Sequence, residues 1–242
     1  MQTSRKVEAE MYLSEQEAVS EYLGIAGIIG ITYSLLADQI YELSGSLKGK
    51  VLDLGTGLGN LAVELARRFT EAEIFGLDIS QEMLTQAENS QQKQGINNLK
   101  FKLMDVHALD FEENSIDLIA SHGSLHHWQD PKKVFLQAQR VLKPGGIIYI
   151  ADLRRDAPEN IVEEAAVGLN PAQKTGFLNS IAASYLPSEL EKILIEAGIK
   201  DFKITEQKFS RKVIIKNMQR LRNISQRSEE FNRLYLHIII RK

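Results

Sequence analysis

The chain of 242 residues contains no cysteine. Disulfides, zinc–thiolate centres and a cysteine nucleophile are excluded, and the composition suits a cytoplasmic protein. No apolar run reaches the length of a membrane span; residues 24–31 are short and broken by glycine. The first ten residues carry Arg5, Lys6, Glu8 and Glu10 and lack the apolar core of a signal peptide. Repeats and low-complexity linkers are absent. So are a Ser-His-Asp set and a lysine-bearing phosphate loop, which leaves hydrolase and kinase chemistry unsupported.

Net charge is −3, unevenly spread. From Lys208 onward ten Lys and Arg face two Asp and Glu; the rest of the chain has nineteen against thirty. A basic tail can meet nucleic acid, anionic lipid or an acidic substrate. This one has few aromatics and reads as the solvated face of a late helix, so a nucleic-acid partner is not expected.

What is present is organised around Val51-Leu52-Asp53-Leu54-Gly55-Thr56-Gly57-Leu58-Gly59-Asn60. An apolar run ends in an acid, three glycines follow at alternate positions, and an amphipathic pattern begins at Leu61. This spells strand, tight turn, helix. Glycine lets backbone approach a ligand closely, and the helix start offers unpaired N–H groups. A dinucleotide turn requires G-x-G-x-x-G, but Asn60 stands at its third position. Asp53 would repel a pyrophosphate and suits a ligand carrying an ammonium and a sulfonium. A purely structural turn is the alternative.

Ser14 followed by Glu17 predicts a capped helix from about residue 15 to 24, and residues 32–43 a second. Strands are expected at 73–78, 99–103, 116–121 and 147–151, with helices at 81–94 and 131–142 between them. This alternation implies an α/β fold, a Rossmann-like doubly wound parallel sheet with helices on both faces. Residues 156–186 read as helical or irregular, 187–198 as a helix, 202–205 as a strand, 211–230 as a basic helix and 234–240 as a closing strand. Asp78 ends the second strand, where a carboxylate can accept both ribose hydroxyls of an adenosine ligand; otherwise it is the N-terminal acid of the next helix.

The glycine turn resembles motif I of the class I S-adenosylmethionine (SAM)-dependent methyltransferases. Asp78, Asp105 after the third strand, Ser121-His122-Gly123-Ser124-Leu125-His126-His127-Trp128 after the fourth, and Leu142-Lys143-Pro144-Gly145-Gly146 extend the resemblance. Over residues 50–151 the chain is similar to the ubiquinone/menaquinone C-methyltransferase-like enzymes. The resemblance implies a seven-stranded sheet whose last strand is antiparallel and inserted beside the one near 202–206. It implies SAM as cofactor and S-adenosylhomocysteine as product. The cofactor residues would be Asp53, Gly55, Thr56 (where the family usually has cysteine), Gly57, Gly59, Asn60, Asp78, Ile79, Met83, Asp105, Val106, Ser121 and His122. Asp105 would accept from the adenine amino group and Val106 offer its N–H to the ring; Met83 would pack on the adenine face or simply in the core. Residues 1–46 would form a helical cap on a methyltransferase domain of 47–242, with a lid insertion at 156–186 and a basic insertion at 208–233.

A sulfonium methyl is already activated, so the protein must align an acceptor and exclude water. His126 and His127 are candidates for a general base, or else braces of the loop. Tyr22, Tyr33, His126, Trp128 and the lid residue Tyr185 are candidates for acceptor contact; Trp128 is equally a core anchor. The apolar lid suits a small or lipophilic acceptor. Nucleobase-amine enzymes of this fold carry Asn/Asp-Pro-Pro-aromatic where this chain has Ser121-His122-Gly123-Ser124. His122 and His126 lack a Cys or Glu cluster, so no metal is expected. The rival functions are an NAD-dependent oxidoreductase and a non-catalytic SAM-fold protein that binds a partner through its basic tail.

Overall fold

The computed structural model describes residues 4–6, 30–221 and 232–242. The helix expected over 15–24, and Tyr22 with it, lies outside them. In chain order the elements are α1 (Gly30–Ser44), β1 (Lys50–Leu54), α2 (Asn60–Arg68), β2 (Glu73–Asp78), α3 (Gln81–Gln94), β3 (Leu99–Leu103), β4 (Ile116–His122), a 3-10 turn (Leu125–His127), α4 (Pro131–Val141), β5 (Leu142–Leu153), α5 (Glu159–Ala165), α6 (Pro171–Ala183), α7 (Pro187–Glu196), β6 (Phe202–Glu206), α8 (Arg211–Leu221) and, after a short 3-10 turn, β7 (Tyr235–Arg241).

Local chemistry sets these limits. The Ser80 side chain accepts from Met83 N to open α3, and Gly95, at φ 66°, ends it. Asp130 accepts from Lys133 N before Pro131, the first residue of α4. The central strands are buried on both faces and hence apolar at nearly every position, as parallel strands between two helical layers must be. Leu52, Leu54 and Ile119 pack into one core with α4 and α7. Val51, Leu118 and Ala120 pack into the other with α1 and α2.

The sheet order is β3-β2-β1-β4-β5-β7-β6. β7 is antiparallel to both β5 and β6, and the other neighbouring pairs are parallel. The fold is thus the expected seven-stranded one, with the last strand in chain order inserted antiparallel inside the sheet. The order reverses between β1 and β4, and in open α/β sheets ligands bind at the carboxyl ends of the strands beside such a point.

β5 is longer than expected at both ends. At its start Ile116 pairs with Leu142 but Leu118 already pairs with Ile147, so Lys143-Pro144-Gly145-Gly146 bulges out instead of ending the ladder. At its end the pairing with β7 continues through Asp152 opposite Leu236 and Leu153 opposite Tyr235. That extension carries Asp152 to the strand tips.

The basic segment is anchored rather than merely solvated. Asp38 on α1 is buried, with 2% of its surface exposed. It accepts from Arg68 Nε at 3.0 Å, Lys216 Nζ at 2.6 Å and Asn217 Nδ2 at 2.8 Å. Three helices, α1, α2 and α8, are pinned on one carboxylate. Ser210 strengthens the joint through Gln39 and Glu42. Burial alone would push Asp38 up, but the Arg68, Asn217 and Lys216 donors outweigh it and hold it at about 2.

Asp38→Ala should cost about 1–3 kcal/mol in urea unfolding at pH 7, since it removes the acceptor shared by Arg68, Lys216 and Asn217 while Glu64 still pairs with Arg68. The native carboxyl titrates below its unfolded value, so its contribution is complete above pH 3.8 and lost as pH falls toward 2. Asp38→Asn should flatten that part of the stability profile; an unchanged acid limb would refute the role assigned to Asp38.

Candidate cofactor and acceptor site

The β1–α2 turn supplies the first wall. Gly55 and Gly57 adopt φ 65° and 53°, the left-handed region that glycine enters without strain. A Cβ on Gly55 would lie 1.9 Å from Ser124 Oγ, so the turn and the loop after β4 touch only because a side chain is missing. Thr56 N donates to Leu77 O at 2.8 Å and ties the turn to β2. The Asp78 carboxylate then accepts from Gly57 N at 2.8 Å and Ser80 N at 3.0 Å. It bridges two successive strand-to-helix turns, and each of its oxygens retains acceptor capacity for a hydroxyl.

Asp53 lies beneath this turn rather than in it. It is 1% exposed and accepts from Thr56 Oγ1 at 2.7 Å. Burial pushes its carboxyl up to about 7; donation from Thr56 opposes the rise and the charge of Asp78 adds to it. Its structural work is to hold the turn.

The second wall lies at the tips of β2 and β3. Ile79 and Leu103 leave 59% and 57% of their surface open, an unusual exposure for apolar side chains at strand ends. Asp105 is also open at 59% and accepts from His107 N and Nδ1. Burial would raise the Asp105 carboxyl, but these His107 bonds hold it below the usual range. Two apolar faces beside an exposed acid and the Asp78 carboxylate fit a flat heterocycle with an amino group joined to a ribose. Val106 is buried next to Asp105, Met83 is buried in α3, and Asn60 is half-buried at the start of α2.

The third wall follows β4. Ser121 donates to Leu54 O at 2.7 Å, so its hydroxyl is occupied within the sheet. His122 is buried, its ring stacked on Tyr235 with centroids 5.4 Å apart and set edge-on to Tyr33 at 5.0 Å. His126 is 4% exposed, and its Nδ1 lies 2.6 Å from Asp152 Oδ1. Leu125 N donates to the other Asp152 oxygen at 2.7 Å. Burial would raise the Asp152 carboxyl, but the His126 ring beside it holds it down. His127 is exposed, its centroid 4.0 Å from that of His126. The two histidines therefore differ: one is oriented by a buried carboxylate, the other faces outward.

Trp128 is a core anchor and not a wall of the acceptor site. It is 3% exposed, donates Nε1–H to Ser124 Oγ at 3.0 Å and meets the edge of Phe135. Tyr185, between α6 and α7, is also covered. The Arg5 guanidinium lies 4.1 Å over its ring, and Arg5 donates to Ala183 O at 2.6 Å and His126 O at 3.0 Å. Lys6 N donates to Ala182 O. Residues 4–6 thus strap the end of α6 to the turn that carries His126. No set of three or more metal-ligating side chains occurs among the described residues. Nor is any helix among them long and apolar enough to cross a membrane.

Sequence reasoning missed Asp152, His107, Arg5, Leu103 and Tyr235. Asp152 had a signal: it is a fourth acid at the end of an apolar strand, after Asp53, Asp78 and Asp105. Arg5 and Tyr235 had none, because only the tertiary fold brings them near β4.

Comparison with known proteins bears on this geometry. A family model described as a methyltransferase domain matches residues 46–198. An uncharacterised methyltransferase of Schizosaccharomyces pombe is 35% identical over 105 residues, 41% of this chain and 38% of its own length. A ubiquinone biosynthesis O-methyltransferase of Acinetobacter baylyi is 28% identical over 172 residues, 69% of this chain and 70% of its own. The chain spans less than half the length of several of the curated relatives it matches. Among solved structures, the plantazolicin methyltransferase BpumL in complex with SAH superposes with a TM-score of 0.78 at 22% identity, covering 97% of this chain and 93% of that one.

Two outcomes test the geometry directly. Asp53 keeps a proton in the folded state that the unfolded chain releases above pH 3.8, so stability falls as pH rises toward 7. Asp53→Asn retains an acceptor for Thr56 without a charge to bury. Its stability relative to wild type should therefore climb from pH 5 to pH 8 in urea titrations; a pH-independent difference would refute this. Arg5→Ala should speed amide hydrogen exchange at residues 182–186 and in the 125–127 turn while leaving β1–β4 protected; unchanged exchange there would refute the strap.

Proposed function

Because the chain belongs to this methyltransferase-domain family, we propose that it moves a methyl group from SAM to a small-molecule acceptor and releases S-adenosylhomocysteine. The observation that carries this reading is the Asp78 carboxylate, fixed by Gly57 N–H and Ser80 N–H beside a turn free of side chains. It supplies a ribose-hydroxyl acceptor where the fold binds nucleosides. The exposed pair Ile79 and Leu103 with Asp105 would take the adenine. Family membership sets the oxidoreductase alternative aside, as Asn60 in place of a third glycine already suggested.

When bound, SAM supplies an activated methyl on its sulfonium. The chain's task is then to orient and to handle a proton. Gly55, Thr56, Gly57 and Gly59 shape the turn, and Asp53 holds it through Thr56. The β4 loop faces the acceptor. His126 is oriented through Nδ1 by Asp152. A positive charge on that ring is balanced by the carboxylate, which suits His126 to take a proton from a hydroxyl or carbon acid. His127 is the weaker candidate, since its ring is exposed. Tyr33 and Tyr185 border the acceptor side, and α5 and α6 form its lid. Leu153, Ile161 and Leu234 pack there with Phe177, Ile181 and Tyr235, an apolar wall suited to a lipophilic acceptor. The absence of cysteine and the apolar lid favour a cytoplasmic enzyme of small-molecule metabolism over one acting on nucleic acid.

Isothermal titration with SAM, S-adenosylhomocysteine and NAD tests the reading; only the first two should bind. Asp78→Ala should weaken S-adenosylhomocysteine by about 1–3 kcal/mol through lost hydroxyl pairing and a loosened turn. Undiminished affinity in that variant would move the cofactor site elsewhere.

A further inference from the structure

Among the described residues three buried side-chain atoms lack a hydrogen-bond partner: His122 Nε2, Arg155 Nε and Gln207 Oε1. Arg155 is otherwise tied to Ser184 O and Glu189, and Gln207 to Asn232. The contacts that hold the His122 ring are aromatic, to Tyr33 and Tyr235. Its orphaned nitrogen sits at the tip of β4, with 8% of the residue exposed. An unpaired buried nitrogen costs stability and persists where function supplies the partner.

The partner's chemistry can be narrowed. Burial keeps the imidazole neutral, with its pKa lowered to about 4, so it does not serve as a fixed cation for a carboxylate or phosphate. The proposed cofactor contacts lie at the tips of β2 and β3, at Asp78, Ile79, Leu103 and Asp105, beside the glycine turn that follows β1. His122 lies on the opposite side, with Asp152 and His126 close enough to act on it electrostatically. Its neighbours from α1 and β7 are tyrosine rings, which favour packing against a flat aromatic body. A neutral nitrogen between two such rings fits an uncharged aromatic molecule that presents a hydroxyl.

We propose that His122 is an acceptor-binding residue, not a cofactor residue, and that its Nε2 receives a hydrogen bond from one hydroxyl of a catechol packed against Tyr33 and Tyr235. This rests on the methyltransferase reading. The acceptor oxygen bonds to the methyl carbon, and the carbon–sulfur bond breaks with its electron pair left on sulfur. That oxygen belongs to the catechol's second hydroxyl, whose proton passes to the His126–Asp152 pair.

The test titrates 4-nitrocatechol into the full chain saturated with S-adenosylhomocysteine at about pH 5.5, where the nitro-acidified phenol and the His122 imidazole are both uncharged, and follows the probe's absorbance. Wild type should bind it. His122→Phe keeps a ring in the stack and removes the nitrogen. It should weaken 4-nitrocatechol by about tenfold or more while S-adenosylhomocysteine affinity stays within about twofold. 4-Nitroanisole, which has no hydroxyl, should bind both proteins alike. Thermal melts verify folding, and His122→Asn takes the place of H122F with the same expectation if that variant does not melt cooperatively. The proposal is overturned if wild type ignores 4-nitrocatechol or if wild type and variant bind it equally. A parallel fall in S-adenosylhomocysteine affinity would overturn it too, by assigning the nitrogen to the cofactor. Wild type that fails to bind S-adenosylhomocysteine overturns the methyltransferase reading as well.

Discussion

The Asp78 carboxylate is the joint on which the proposed nucleoside half of the site depends. One oxygen receives Gly57 N–H and the other Ser80 N–H. The glycine turn after β1 and the start of α3 after β2 are thereby held at a fixed separation. Charge-assisted bonds of this kind are stronger than neutral ones, and two on one carboxylate leave it little freedom. Asp53 completes the arrangement from below. Its burial is unfavourable for a charged group, and Thr56 compensates only in part. The turn therefore carries a stability cost in a place where the fold binds ligands, a common arrangement at functional sites.

The sheet and α1 are held in place by the two cores, and α1 has a second, polar fastening. Asp38 provides it by gathering Arg68 from α2 and Lys216 and Asn217 from α8. This accounts for part of the positive charge of the last thirty-five residues. Lys212 and Ser210 add contacts to Glu42 on the same helix. The acidic face of α1 and the basic α8 are thus partners within one chain, which weakens the case for a separate partner-binding tail. The consequence reaches the site, since Tyr33 on α1 lies against His122.

How much could be read from the sequence follows a physical division. β2, α3 and β3 fall where periodicity and capping residues place them, because Ser80, Gly95 and the apolar alternation act within a few residues. The glycine turn was legible for the same reason. β5 was cut short because Lys143-Pro144-Gly145-Gly146 looks like a terminating turn. Only the register jump against β4 shows that the ladder continues across it. Trp128 was ambiguous because a large aromatic in a loop serves either a core or a ligand; its N–H bond to Ser124 and the edge contact with Phe135 decide for the core. Arg5 was illegible. Its partners are the carbonyls of Ala183 and His126, and carbonyl acceptors leave no mark in a sequence.

The same division separates the two halves of the site. The cofactor half is built from contiguous turns at the tips of β1, β2 and β3, so short motifs specify it and a family model can match it. The proposed acceptor half would draw Arg5, Tyr33, His122, Asp152, Tyr185 and Tyr235 from six separate places in the chain. Each is held by tertiary contacts rather than by a local pattern. Substitutions on that side can change what is bound without disturbing the glycine turn or the acids beside it. A fold organised in this way can keep one donor chemistry and vary the acceptor. Residues such as His122, whose ring is packed but whose nitrogen has no partner within the protein, are where that variation would be written.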